Sequence, residues 1–230
     1  RAYRNAPYVT VSTPSRDELV ELGVDAERIH LIQNGLDPVP AHIPRLDEEG
    51  IHLVTLSRLV PHKQIEHAMD VVAAIEGVHL DVVGSGWWEE QLRDYARELG
   101  VVDRVTFHGQ VAEDHKHALL RRAAIHLMPS RKEGWGLAVV EAAQHSVPTI
   151  GYRSSGGLRD SIIDGQTGVL VDSKAELIAA VRHLLTDAPS RALLGQHAAQ
   201  RAGSYSWDTA GTQFEQLLTS LLPSSLTPKS

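Results

Sequence analysis

The chain has 230 residues, no cysteine, and 29 acidic against 22 basic side chains, for a net charge of −7. That balance gives no electrostatic footprint for nucleic acid as the main partner, so any phosphate site must be local; the lack of thiols excludes a disulfide framework and thiolate metal sites. Hydrophobic content of 42% and charged content of 22% suit one large globular domain, and apolar runs such as 71–75 are far too short to span a bilayer.

In chain order, short β-branched runs alternate with longer amphipathic stretches, the pattern of parallel strands joined by crossover helices. Strands are expected at 8–12, 29–32, 52–57, 79–83, 104–107, 125–128, 149–152 and 168–171. Helices are expected between them at 16–22, 65–75, 88–99, 114–122, 137–144, 157–163 and 175–184. The first helix has a capping-box start, Ser15 followed three residues later by Glu18, after Pro14. The fold class this predicts is α/β, a Rossmann-like doubly wound parallel sheet over residues 1–222, with its ligand crevice at the carboxyl ends of the strands. Past about Thr186 the strands stop; 190–202 and 207–222 read as two packing helices, and 223–230 as a flexible tail. The opening Arg1-Ala2-Tyr3-Arg4 is not a charged-then-apolar leader, and with the absence of cysteine this makes a cytoplasmic location the expectation.

Functional residues should cluster just after strands. Ser57-Arg58-Leu59-Val60-Pro61-His62-Lys63 puts an arginine and a lysine on one strand-to-helix loop. A guanidinium fork can grip two phosphate oxygens and an ammonium adds a compact charge, so the pair outlines a diphosphate clamp; two solvated loop cations fit equally well. Val83-Gly84-Ser85-Gly86 ends a strand and opens a helix, giving either close backbone approach to a ligand or a plain tight turn. The third glycine of a dinucleotide fingerprint would fall at Glu89, which argues against nicotinamide and flavin.

The most informative segment is Glu133-Gly134-Trp135-Gly136-Leu137-Ala138-Val139-Val140-Glu141. Gly134 and Gly136 let the main chain approach an anion, and the helix behind them presents free N–H groups. Glu141 lies four residues into that helix, roughly 6 Å along its axis. That offset suits a ligand with phosphate at the helix tip and ribose beside the first turn, where a carboxylate accepts from vicinal hydroxyls; Glu133 would face the sugar end. Taken singly, each glutamate also reads as an ordinary helix-stabilising or solvated charge. Ser154-Ser155-Gly156-Gly157 follows the next strand and belongs on the same sheet edge.

Other chemistries find no support. There is no P-loop, no G-x-S-x-G elbow and no H-E-x-x-H, and His115 and His117 stand on different helix faces. No Asp-x-Asp occurs, so no metal is expected, and phosphate charge falls to Arg58, Lys63 and the helix dipole.

These residues together resemble the C-terminal, donor-binding domain of GT-B-fold retaining glycosyltransferases of family 4, the glycosyl transferases group 1. The resemblance runs from about Tyr8 to Trp207 and is carried by Gln33-Asn34-Gly35-Leu36-Asp37, by Ser57-Arg58-Leu59 with Lys63, by Val83-Gly84-Ser85-Gly86, and above all by Glu133 and Glu141, separated by seven residues. It implies a nucleotide-diphosphate sugar as donor, a GDP- or UDP-sugar, and no further cofactor. It implies that Arg58 and Lys63 hold the diphosphate, that Glu133 with the backbone of Gly134, Trp135, Gly136 and Leu137 contacts sugar and phosphate, and that Glu141 binds ribose. Gln110 and Val111 would frame the base, with Gly84 close by. It further implies an acceptor, whether lipid, sugar or small molecule, held by an N-terminal domain absent from this chain. The activity implied is that of a retaining hexosyltransferase, little or none of it in this part alone, with the inner membrane face as a setting for the full-length protein. Gln64 stands where glycine usually follows the lysine, and Trp135 where phenylalanine is commoner. A GT-B epimerase or hydrolase, and a non-catalytic nucleotide-sugar module, are the alternatives.

Overall fold

The computed structural model describes residues 6–46 and 49–222. The tail expected at 223–230 lies outside them. The described chain opens with β1 (Tyr8–Thr10), α1 (Thr13–Glu21) and β2 (Ile29–Leu31). β1 and β2 pair in parallel as a two-stranded sheet of their own, Tyr8 opposite Ile29 and Thr10 opposite Leu31. This corrects the expectation that all eight strands share one sheet: an apolar run signals a strand but not its partner, and these two find each other across α1. The helix start is corrected as well. Ser12 is the cap, its hydroxyl accepting from the Ser15 amide at 3.3 Å, and Pro14 falls in the first turn, where its missing N–H costs nothing.

The remaining strands are β3 (Ile51–Leu56), β4 (Val78–Val83), β5 (Val105–Gly109), β6 (Ile125–Met128), β7 (Thr149–Tyr152) and β8 (Gly168–Val171). Among the described residues they form a six-stranded sheet in the order β5-β4-β3-β6-β7-β8, every neighbouring pair parallel. The chain winds outward from β3 to β5, returns to the other side of β3, and winds outward again from β6. Between β3 and β6 the loops depart in opposite directions, which opens the crevice a doubly wound sheet uses for ligands.

The helices are α2 (Ile65–Ala74), α3 (Glu89–Glu98), α4 (Glu113–Arg122), α5 (Leu137–Ala143), α6 (Leu158–Ser161), α7 (Lys174–Thr186), α8 (Ala188–Ala202) and α9 (Trp207–Leu221). α2, α3 and α7 cover one sheet face, where Leu53, Leu80, Val82, Ile125 and Ile150 meet Ile65, Met69, Leu92 and Val181. α4, α5 and α6 cover the other, with Val54 and Val83 under Leu119 and Leu120, and Met128 under Val139 and Leu158. Such near-continuous apolar strands are what burial on both faces demands. α6 is shorter than the 157–163 expected, because the chain turns extended at Ile162, which ends it after Ser161. α8 starts earlier than 190, with the Asp187 carboxylate capping the Ser190 amide at 3.0 Å and Pro189 in the first turn.

One polar cluster is sunk in the second face. Asp81 on β4 receives His52 Nδ1 at 3.0 Å, His108 Nε2 at 2.7 Å and Arg122 at 2.7 Å. Burial opposes its ionisation, but the hydrogen bonds from His108 and His52 and the Arg122 charge overcome this and hold the carboxyl well below the usual carboxylate range. On β6, His126 is fully enclosed, and burial alone pushes its pKa down to about 3.

Candidate donor-binding site

The crevice is built by loops tied main chain to main chain. The Arg131 amide donates to the His62 carbonyl at 2.8 Å, joining the loop after β6 to the loop after β3 across the reversal point. The Glu133 amide donates to Ser155 at 2.9 Å and the Gly157 amide to Glu133 at 3.0 Å, joining the same loop to the one after β7. A Cβ on Gly157 would lie 2.3 Å from the Gly134 carbonyl, so only glycine allows this seam.

Lys63 and Glu133 meet there. The Lys63 ammonium lies 2.6 Å from Glu133 Oε1, with the two side chains only 11% and 9% exposed. Lys63 ends a 3-10 turn over Pro61–Lys63, and Gln64 follows at φ +49°, in the left-handed region. A glycine would sit at this position without strain; a glutamine pays on the order of 1 kcal/mol in steric cost. Arg58, on the same loop, is exposed, and its guanidinium makes no hydrogen bond or ion pair among the described residues.

Gly136 caps α5 at φ +91°, which turns the chain into the helix and lets Leu158 close against it. Gly134 differs: a Cβ there would touch nothing within 4 Å, so protein packing does not require a glycine and space is left on that side of the turn. Trp135 points the other way. It is 3% exposed, packed edge-to-face on Tyr205 at 5.0 Å in a cluster with Leu36, Val140 and Ala198. Its indole is thus enclosed by that cluster. Leu137 is 43% exposed in the first turn of α5.

Glu141 faces α4 and accepts from Lys116 at 2.7 Å; Lys116 also lies 2.6 Å from Glu113. Burial works against the Lys116 ammonium, but its hydrogen bonds to Glu113 and Glu141 win and raise its pKa above that of an ordinary lysine. Lys116 is the residue that the sequence did not single out. Its spacing of three from Glu113 was visible on a helix start, but nothing in the sequence pointed across 25 residues to Glu141. A cavity of about 50 Å³ opens at this pair, lined also by Gly35, Leu137 and Gln144. Next to it His117 bonds His145 at 2.7 Å, so His117 serves to join α4 to the end of α5. A larger cleft of about 560 Å³, between Asp37–Val39 and the start of α9, is lined by none of Arg58, Lys63, Glu133 or Glu141.

The outlying expected residues are less close-knit. Gln110 is exposed beyond β5, and Val111 half-buried against the Val54, Val83 and Leu119 cluster. Gly84 and Gly86 serve the fold first: Cβ atoms there would lie 2.0 Å from the Ser57 carbonyl and 2.1 Å from the Leu59 carbonyl. The glycines let the β4 loop lie against the β3 loop that carries Arg58 and Lys63.

Residues 42–201 match the family model described as "Glycosyl transferases group 1". The chain belongs to that family. Within the group 1 glycosyl transferases it is 32% identical over 221 residues to a glycogen synthase of Mycobacterium tuberculosis, covering 91% of this chain and 53% of the relative. It is 30% identical over 239 residues to a GDP-mannose-dependent alpha-(1-6)-phosphatidylinositol monomannoside mannosyltransferase of the same organism, covering 94% and 60%. The chain thus spans about half the length of the curated relatives it matches. Its fold superposes on Anabaena HepE in complex with UDP and glucose with a TM-score of 0.85 at 21% identity, over 94% of this chain and 64% of that one. Sucrose-phosphate synthase from Thermosynechococcus elongatus gives 0.83 at 25% identity, over 93% and 57%. The sheet thus has the Rossmann-like fold of the C-terminal domains of GT-B glycosyltransferases. Among the described residues no group of three or more His, Asp or Glu side chains could hold a metal ion, and no helix is long and apolar enough to cross a membrane.

Proposed function

We propose that this chain is the donor-binding half of a retaining hexosyltransferase, which takes a sugar from a nucleoside diphosphate and passes it to an acceptor held by an N-terminal half. The observation that carries the reading is the pairing of Glu133 with Lys63 across the reversal point of the sheet, with Arg58 unpartnered on the Lys63 loop and Glu141 one helical turn deeper. Arg58 and Lys63 supply two positive charges for the diphosphate, and the backbone from Gly134 to Leu137 supplies N–H donors. Glu141 accepts from the ribose hydroxyls, and Glu133 orients the sugar. When the bond from the anomeric carbon to the phosphate oxygen breaks, the departing nucleoside diphosphate keeps the electron pair, stabilised by these fixed charges, and takes the proton of the acceptor hydroxyl, whose oxygen bonds the anomeric carbon from the same face. The exposed apolar faces of α9 and of the β1–α1–β2 unit are the surfaces on which the N-terminal half would rest.

Calorimetric titration with GDP, UDP and ADP, without divalent metal, tests the reading. One nucleotide should bind, and Glu141→Ala should weaken it by about tenfold to a hundredfold, the worth of a hydrogen bond to a charged group. Because GDP-mannose is named for one relative and UDP fills one related structure, either base fits this family. Affinity unchanged by a chelator is expected, since Arg58 and Lys63 take the role of a cation. In the enzyme with its N-terminal half, Lys63→Ala and Glu133→Gln should each lower turnover by about a hundredfold or more with the fold intact by circular dichroism. Unchanged turnover would show that the chemistry is elsewhere. The acceptor, whether lipid, sugar or small molecule, and any seat at the inner membrane face belong to the other half.

A further inference from the structure

Glu141 does not stand free on α5. Its Oε1 accepts from the Lys116 ammonium at 2.7 Å, while its Oε2 accepts no hydrogen bond among the described residues. Lys116 is itself fixed, lying 2.6 Å from Glu113 on its own helix, and its side chain is only 14% exposed. The 2.7 Å bond between His117 and His145 ties α4 to the residues just after α5, so the distance across the ion pair is set at a second point. The pair borders the cavity of about 50 Å³ beside Leu137, which Gly35, Leu36 and Gln144 also line.

We infer that Lys116 is a positioning residue for ribose recognition, holding Glu141 by one carboxylate oxygen so that the other is presented to the vicinal hydroxyls of a ribonucleoside diphosphate. This rests on the reading of Glu141 as the ribose ligand. Two physical effects favour the arrangement. A glutamate has several freely turning bonds, and a carboxylate already anchored loses less freedom when a ligand arrives. A diphosphate also brings negative charge toward Glu141 and Glu113, and an ammonium between those carboxylates offsets the repulsion. Lys116 acts through Glu141 and touches no reacting atom.

The experiment compares affinity for a ribonucleoside diphosphate with that for its 2′,3′-dideoxy analogue, using whichever of GDP or UDP binds and the protein with its natural flanking chain. The variants are Lys116→Met, Lys116→Arg, Glu141→Gln and the double variant Lys116→Met/Glu141→Gln. Lys116→Met should shrink the preference for the ribo form by about tenfold, the worth of an ordered charged hydrogen bond, with little change for the dideoxy form. Lys116→Arg should restore most of the preference, and adding Lys116→Met to Glu141→Gln should change nothing further. Damage to the fold alone would weaken both ligands together and would overturn the inference. If Glu141→Gln abolishes the preference while Lys116→Met leaves it whole, the inference fails and the ribose reading stands. Should Glu141→Gln leave the preference untouched, both fall. Additive effects in the double variant would make Lys116 a direct contact and would overturn the positioning role.

Discussion

The six-stranded sheet and the flank formed by β1, α1, β2 and α9 draw on the same kinds of residue and end in opposite surroundings. Leu53, Leu80, Ile125 and Ile150 in the sheet are wholly buried, whereas in the flank Val9 is 43% exposed, Phe214 44% and Leu218 50%, and neither α1 nor α9 buries a single side chain. Apolar periodicity announces a face that can be covered; it does not say by what. In the sheet the cover is α2, α3 and α7 of this same chain, whereas in the flank the described residues leave Val9, Phe214 and Leu218 largely uncovered.

That contrast can be broken by measurement. Leu53→Ala should cost the most, about 3 to 5 kcal/mol by denaturant unfolding, since it empties a site closed on both faces of the sheet. Asp81→Asn comes next, at about 2 to 3 kcal/mol at neutral pH, because His52, His108 and Arg122 lose a charged acceptor. The Asp81 pKa is lower in the folded protein than in the unfolded chain. Its stabilisation is therefore present above the unfolded value of 3.8 and fades as pH falls below it, so the variant should show a flatter acid limb. His126 gives a separate signature at milder acidity. The unfolded chain takes up its proton near 6.5 and the folded protein only near 3, so stability declines as pH drops through that window, and His126→Gln should reduce the slope. Gln64→Gly, by relieving the left-handed φ, should shift stability by less than about 1 kcal/mol in either direction, the lost strain and the added chain entropy opposing each other. Phe214→Ser in α9 should change the stability of this chain by less than about 0.5 kcal/mol. A cost for Phe214→Ser near that of Leu53→Ala would mean that the flank has a core of its own and that the division is mistaken.

Much of the sheet was legible because each strand is bounded by turn residues and followed by a helical period, and six of the eight expected strands entered one parallel sheet at close to the expected bounds. The placement of 8–12 and 29–32 was not legible, since pairing is decided in three dimensions by whichever edge is within reach. On the site, loop and turn positions gave Lys63 and Glu133, and the structure puts them in contact. Trp135 was expected to contribute through its backbone; that its ring packs inward against Tyr205 was not legible from its glycine neighbours. Lys116 was invisible because its partner lies on another helix, and the local rules of a helix stop at its own fourth neighbour.

The loops at the sheet edge are fastened by their own amides: Arg131 to His62, Glu133 to Ser155, Gly157 to Glu133, Leu59 to Ser85 and Gly84 to Gly109. A frame held this way asks nothing of the side chains it displays, apart from the glycines that let the strands of the frame touch. Such a scaffold is open to divergence. Residues that greet a base or a sugar can be exchanged one at a time in the course of descent, each trial leaving the architecture standing, and relatives with this fold can come to prefer different substrates without ever passing through an unfolded ancestor.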